Sequence, residues 1–67
     1  MKAEMMEKLK GEFWTHIEEL FEDLESKGLD IADYNGEAIE VFSEEDEKYY
    51  TVHLIVAGST IAIQDIE

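Results

Sequence analysis

The chain has 67 residues, 45% of them hydrophobic, with no cysteine and a formal net charge of −13. The apolar content predicts one folded domain over residues 1–67, and the missing cysteines exclude a disulfide framework and thiolate metal sites. Because eighteen acids face only five lysines and no arginine, direct binding to nucleic acid or to an anionic membrane is unfavourable.

The first predicted element is one long amphipathic helix from Ala3 to about Ser26. Its apolar residues recur at spacings of three and four. This stripe consists of Met6, Leu9, Phe13, Ile17, Leu20 and Leu24. Gly28, just past the end, is a typical C-terminal signal. Gly11 is a weak point, since glycine costs about 1 kcal/mol relative to alanine inside a helix. It predicts either a kink or a later start near Glu12.

The opposite face of this predicted helix is strongly acidic. Its candidate partner-binding residues are Glu7, Glu12, Glu18, Glu22 and Glu25. A helix places residues three and four apart next to each other, so these carboxylates would form a continuous negative surface. Trp14 and Phe21 border the apolar stripe, where we expect either the margin of the core or an exposed ridge that contacts a partner.

The middle of the chain carries a hairpin signal. Asn35-Gly36 separates Leu29–Tyr34 from Glu37–Phe42, and this dipeptide favours a tight turn between two antiparallel strands. The second segment is a good strand. The first contains two aspartates, which disfavour strands, so it is either a short edge strand or an irregular connection.

The most apolar stretch, Tyr49–Ile66, alternates with period two on both sides of Gly58-Ser59. A two-residue type II′ turn there would place Leu54 opposite Ile63 on one face. The acidic loop Ser43–Lys48 would join this hairpin to the preceding strand. The predicted pairs across that loop are Phe42 with Tyr49, Val41 with Tyr50 and Ile39 with Val52.

These elements predict an α+β fold of two layers, with one long N-terminal amphipathic helix packed on a three- to four-stranded antiparallel meander sheet. The predicted sheet core is Ile39, Val41, Tyr50, Val52, Leu54, Val56, Ile61 and Ile63. A single helix leaves the other sheet face uncovered. That face would expose apolar residues, including Ile66, and we expect it to bind a partner or to form a homodimer. Its candidate residues are Phe42, Tyr49, His53 and Ile55.

No catalytic constellation is present in the sequence. The two histidines, His16 and His53, would lie on opposite sides of the sheet, and the serines have no neighbouring base. Ser43–Lys48 lacks the alternating ligands and the glycine of a calcium-binding EF-hand loop. We therefore expect a protein that is not an enzyme and has no cofactor or bound metal.

One stretch, Phe13–Phe42, resembles the start of bacterial frataxins, which begin with an acidic helix followed by an acidic hairpin with Asn-Gly and a strand. The matching residues are Trp14, Ile17, Glu18, Glu19, Leu20, Asp30, Ile31, Asn35 and Gly36. The resemblance covers about half of the chain, and the later strands and closing helix of the family have no counterpart. It implies, as an alternative function, weak iron binding on the helix acids.

The leading hypothesis is a non-enzymatic acidic inhibitor that occupies a basic, nucleic-acid-binding surface of a partner protein by mimicking phosphate charge. It is similar in character to inhibitors from phages and mobile elements, including anti-CRISPR proteins, without sharing a motif with them. The alternatives are an iron-handling accessory protein and a dimerising domain whose acidity only confers solubility. The N-terminal region carries Glu4 and Glu7 in place of a signal peptide's apolar run, so we expect a cytoplasmic protein.

Overall fold

Five antiparallel strands and two short helices make up the fold in a computed structural model, which describes residues 2–67 and the side chains of 4 and 7–67. In chain order the elements are α1 (Lys2–Leu9), β1 (Phe13–Trp14), α2 (Ile17–Ser26), β2 (Leu29–Tyr34), β3 (Ala38–Ser43), β4 (Lys48–Ala57) and β5 (Thr60–Ile66). All strands belong to one sheet in the order β1-β5-β4-β3-β2. The sheet is therefore a meander from β2 to β5, to which the N-terminal strand β1 adds a fifth member. The prediction of a three- to four-stranded sheet was wrong, because it placed the residues of β1 in a helix.

The prediction of one long helix from Ala3 to Ser26 was wrong. Helix α1 ends at Leu9, the chain turns through Lys10 and Gly11, and Phe13–Trp14 is extended. Strand β1 pairs with the free edge of β5, with Phe13 opposite Ala62. The pairing with β5 joins residues that are far apart in the chain. It outweighs the helical periodicity of this segment, in which Gly11 already lowers the stability of a helix.

Helix α2 begins where local capping supports it. The Glu19 carboxylate accepts hydrogen bonds from the His16 backbone N–H at 3.2 Å and from the Thr15 hydroxyl at 2.9 Å. These bonds satisfy groups at the helix start that have no partner within the helix. Glu18 and Glu19 in the first turn also complement the helix dipole. Thr15-His16 followed by Glu18-Glu19 was a start signal within the sequence itself.

The predicted β4–β5 register is confirmed near its turn. Leu54 lies opposite Ile63, Val56 opposite Ile61, and Ala57 opposite Thr60. Gly58 has φ 62° and Ser59 is not among the residues with positive φ, as a type II′ turn requires. Turn chemistry and period-two patterning were therefore sufficient to fix this half of the hairpin.

The far end of β5 departs from that register. His53 lies opposite Asp65 while Leu54 lies opposite Ile63, so Gln64 is an extra residue that forms a β-bulge. Ile66 consequently lies opposite Val52 and packs against the core. The expectation that Ile66 is on the uncovered face was wrong, since a shift of one residue reverses the face of every later side chain.

The β3–β4 hairpin follows the predicted pairing. The β2–β3 hairpin does not, because Tyr34 lies opposite Ile39 and not opposite Glu37, where a two-residue Asn35-Gly36 turn would place it. Between β3 and β4 the three predicted pairs all form, including Phe42 with Tyr49. Leu29–Tyr34 is a true edge strand, with a bulge at Ala32. The Asn35 side-chain oxygen accepts backbone N–H bonds from Glu37 and Ala38 at 3.0 and 2.9 Å, which closes the turn before β3.

The core lies between the sheet and α2. Its buried apolar residues are Leu9, Trp14, Leu20, Leu24, Leu29, Ile39, Val41, Val52, Leu54 and Ile63. Two predicted core residues are exposed: Val56 at 58%, because the hairpin tip extends past the helix layer, and Phe13 at 73%, because β1 turns it to the other face. The side chain of Met6, which began the predicted stripe, lies outside the described residues. Trp14, the residue next to Phe13 on β1, is the one that is buried in the core.

Candidate interaction surfaces

The first candidate surface is a row of carboxylates on α2, here called the helix stripe and defined as Glu18, Glu22 and Glu25. All three are exposed, and their spacing of four and three residues places them along one side of the helix. Leu20 and Leu24 on the opposite side are fully buried. The helix stripe is therefore a fixed negative surface, as the sequence predicted.

Glu7 and Glu12, which were predicted to extend this surface, do not belong to it. Glu7 is on α1, where its carboxylate lies 3.3 Å from Lys10 Nζ. Glu12 lies in the connection that follows α1. Both are exposed, but the break in the predicted helix removes the continuous acidic face of which they were to be part.

The second candidate surface is the sheet face turned away from α2, here called the outer face. The register places on it Phe13, Asp30, Asp33, Ala38, Glu40, Phe42, Tyr49, Thr51, His53, Ile55, Ala57, Thr60, Ala62, Asp65 and Glu67. Five of these are exposed carboxylates, and none is lysine or arginine. The pattern of the strands predicted a mainly apolar surface here, but the observed face combines apolar and acidic residues.

An aromatic pair lies at one end of the outer face. Phe42 and Tyr49 are directly opposite each other on β3 and β4, with ring centroids 5.0 Å apart at an interplanar angle of 60°. Tyr49 is 60% exposed, whereas Phe42 is half-buried. On the next strand, Asp30 lies opposite Phe42. The predicted residues Phe42 and Tyr49 therefore do form one exposed aromatic patch, bordered by a carboxylate.

A separate apolar row lies at the other end of the outer face. Phe13 on β1, Ala62 on β5 and Ile55 on β4 are consecutive cross-strand neighbours. His53 and Thr51 separate Ile55 from Tyr49 along β4. Phe13 was predicted to lie in the helix core, because its position on the outer face depends on the pairing of β1 with β5.

The polar centre of the outer face is built around His53. Its ring nitrogen Nε2 lies 3.5 Å from a Glu67 carboxylate oxygen, and Asp65 is its cross-strand neighbour. The Ile66 backbone N–H and the Lys10 ammonium, 3.3 Å away, hold the pKa of Asp65 below its ordinary value. Lys10 in turn has a raised pKa because Asp65 and Glu7 accept its hydrogen bonds. This group links the start of the chain to its last strand.

Neither surface has the geometry of a metal centre. Among the described residues, no three His, Asp or Glu side chains converge on a point where an ion could bind. The helix stripe carboxylates do not form such a group, so their geometry gives no support to iron binding. The frataxin resemblance also loses its alignment, because Trp14 lies on a strand and not on the acidic helix.

Comparison of the chain with protein-family models, with curated proteins and with solved structures gave no match. In the part of the chain that the structure describes, neither helix has the length and apolar character needed to cross a bilayer.

Proposed function

We propose that this protein is a non-enzymatic, cytoplasmic inhibitor that occupies a basic, nucleic-acid-binding surface of a partner protein, in the manner of small acidic inhibitors from phages and mobile elements such as anti-CRISPR proteins. The observation that carries the proposal is the helix stripe. Three exposed carboxylates stand in a row on a helix whose opposite side is locked into the core by Leu20 and Leu24. Anchoring of the helix fixes the backbone positions of the three residues, so that less backbone freedom is lost on binding than for a mobile segment.

The spacing of the helix stripe suits this role. Neighbouring side chains on one helix face are about 5–6 Å apart, so the stripe repeats negative charge at short intervals, as a phosphate backbone does. Lysine and arginine side chains arranged to contact successive phosphates would meet successive carboxylates in the same way. Five lysines cannot neutralise eighteen acids, so most of this charge remains available to a cationic partner.

The long-range field of the protein supports fast association. A net charge of −13 on a 67-residue chain creates a strong negative potential, which steers a basic partner and raises the association rate. Such steering decreases with salt, because exposed charges are screened over about 8 Å at physiological ionic strength. Binding by this protein should therefore weaken steeply as salt is added.

Capture on the immobilised protein from a nuclease-treated lysate of its native host tests the proposal. Captured proteins should be displaced by short duplex DNA or RNA, which competes for the same basic surface. The test variant carries Glu18→Gln, Glu22→Gln and Glu25→Gln. A matched control carries Glu12→Gln, Glu37→Gln and Glu44→Gln, three exposed acids away from the stripe, and so has the same net charge.

We expect the stripe variant to lose the captured protein and the control variant to retain it. Glutamine keeps helix propensity and removes like-charge repulsion, so unfolding would not explain the loss. Equal losses in both variants would show that only the net charge matters. Retention in the presence of competing nucleic acid would overturn the mimicry.

A further inference from the structure

The outer face carries two carboxylates, Asp33 and Glu40, for which the described side chains provide no ion pair. Asp33 on β2 lies directly opposite Glu40 on β3, and Glu40 lies opposite Thr51 on β4. Thr51 exchanges two backbone hydrogen bonds of 2.9 Å with Glu67. Like charges directly opposite each other destabilise a sheet. The fold therefore maintains an unfavourable pair, Asp33 and Glu40, on a face to which its strands contribute no lysine or arginine.

The aromatic pair, with Tyr49 as its exposed ring, adjoins these two carboxylates. Phe42 and Tyr49 occupy the next row on the same side of β3 and β4, and Asp30 continues that row on β2. A cation over a tyrosine ring is attracted to its π-electron face, and a carboxylate beside the ring can bind the same cation. Glu40 is the diagonal cross-strand neighbour of Tyr49, whereas Phe42 lies between Tyr49 and Asp30. Tyr49 and Glu40 thus offer two complementary kinds of contact to one positively charged side chain, and Asp30 can bind a second one.

A second copy of the chain is a poor occupant of this face. A face-to-face dimer would place the five carboxylates of one outer face against the same five of another, and such like-charge contacts disfavour association. The apolar area that a dimer contact would bury is also divided into two parts, since His53 and Thr51 separate the row of Phe13, Ala62 and Ile55 from the aromatic pair. Charge complementarity favours a cationic partner instead.

We propose that the outer face binds arginine side chains of a basic partner protein, with Tyr49 as the stacking ring and Asp30, Asp33 and Glu40 as the carboxylates. This inference rests on the proposed function for the basic character of the partner, and it adds a second contact surface with its own chemistry. Arginine fits better than lysine, because its planar guanidinium stacks on a ring and binds a carboxylate through two parallel N–H bonds. Binding would also relieve the repulsion between Asp33 and Glu40.

Two synthetic peptides of equal charge, nona-arginine and nona-lysine, are the probes for this inference. Calorimetric titration at low salt measures each affinity, and amide chemical shifts measured by NMR locate the contact. We expect tighter binding of nona-arginine by about threefold to tenfold, in line with one or two cation–π contacts. The largest shifts should fall on β3 and β4.

Four variants test separately how the Tyr49 ring, the charge of a carboxylate and the position of that carboxylate contribute to peptide binding. Tyr49→Leu should remove the preference for arginine, and Tyr49→Phe should retain it, because the ring persists. Glu40→Gln should weaken nona-arginine binding more than Glu18→Gln, which makes the same charge change on the helix stripe. Tyr49 is exposed at 60%, so its replacement should leave the fold intact, and circular dichroism checks this.

Equal affinities for the two peptides, with shifts on α2 alone, would overturn the inference and leave the proposed function standing. Failure of nucleic acid to displace captured partners, with the arginine preference intact, would overturn the proposed function and leave the arginine site. A dimer in sedimentation that Tyr49→Leu dissolves would instead make a second copy the occupant of the outer face. Binding of neither peptide would overturn both proposals.

Discussion

The helix stripe and the outer face are both negative, yet they differ in what surrounds the charge. The helix stripe presents Glu18, Glu22 and Glu25 to solvent, and its apolar residues are on the buried side of α2. The outer face places carboxylates and exposed rings such as Tyr49 on the same side. On helix α2, the helical period of 3.6 residues places acidic and apolar side chains on opposite sides. On the sheet, pairing between strands places acidic and apolar side chains next to each other on the same face.

This difference separates two modes of binding. The helix stripe contributes only charge, so it should mainly raise the association rate with a basic partner. This contribution should decrease as the salt concentration rises. The outer face adds short-range contacts between rings and guanidinium groups, which should persist at higher salt and slow dissociation.

Leu24→Ala should have the largest effect, because it removes the support of the helix stripe. Leu24 is fully buried, and a truncation of this kind costs about 2–5 kcal/mol. Helix α2 has ten residues, fewer than the roughly 12–15 needed for a helix to persist alone. Urea denaturation measures the loss. Val56→Ala, at an exposed position of the hairpin tip, is the control and should cost far less; an equal loss would contradict the described core.

Trp14→Phe should have the next largest effect. The Trp14 indole N–H donates to the Asp23 carboxylate at 2.7 Å, which joins β1 to α2. Removing the donor leaves a partly buried carboxylate without this bond, so we expect a loss of about 1–3 kcal/mol. Phe13→Leu, at the adjacent exposed position, is the matched control. If thermal unfolding showed no difference between the two variants, the link between β1 and α2 would be energetically unimportant.

Glu40→Gln should stabilise the fold while weakening arginine binding. It removes the repulsion between Asp33 and Glu40, which are directly opposite, and such pairs contribute about 0.2–1 kcal/mol. The gain should be larger at low salt than at high salt. Guanidinium chloride would itself screen the charges, so urea is the denaturant of choice. A loss of stability in this variant would show that Glu40 makes a favourable contact, contrary to the register argument.

The smallest effect concerns the pH dependence of stability through Asp65. Its pKa is below the ordinary 3.8, first because of the Ile66 N–H and then because of Lys10. A carboxyl with a lowered pKa in the folded state stabilises the fold above its unfolded pKa, and this contribution is lost as pH falls through the folded pKa. Asp65→Asn should therefore lower stability at about pH 7, and the difference from the wild type should shrink as the pH falls through the folded pKa. A constant difference in urea midpoint across that range would exclude this linkage.

Local chemistry accounts for the parts of the fold that the sequence predicts well. The Gly58-Ser59 turn, the Asn35 turn and the period-two alternation of β3 and β4 each depend on residues that are neighbours in the chain. The exposure of Glu18, Glu22 and Glu25 likewise follows from the periodicity of one short helix. The helix stripe, one of the two candidate surfaces, was therefore predictable from residue spacing alone.

Residues 10–16 show where local chemistry is insufficient. Phe13 and Trp14 fit a helical stripe as well as they fit a strand, and their spacing favours the helix. The extended conformation wins because β5 offers a free edge nearly fifty residues later in the chain, with Ala62 and Ile61 as partners. Glu7 and Glu12 were assigned to the wrong surface for the same reason.

The sequence by itself determined the excess of acid, the hairpin turns and the face of each β3 and β4 residue, because these depend on composition and on contacts within a few residues. Only the tertiary structure decided that Gln64 forms a bulge, that Ile66 turns to the core, and that Glu67 continues the acidic row of Asp33 and Glu40. A bulge reverses every later side chain, and its position is chosen by packing between distant strands, which sequence spacing does not record.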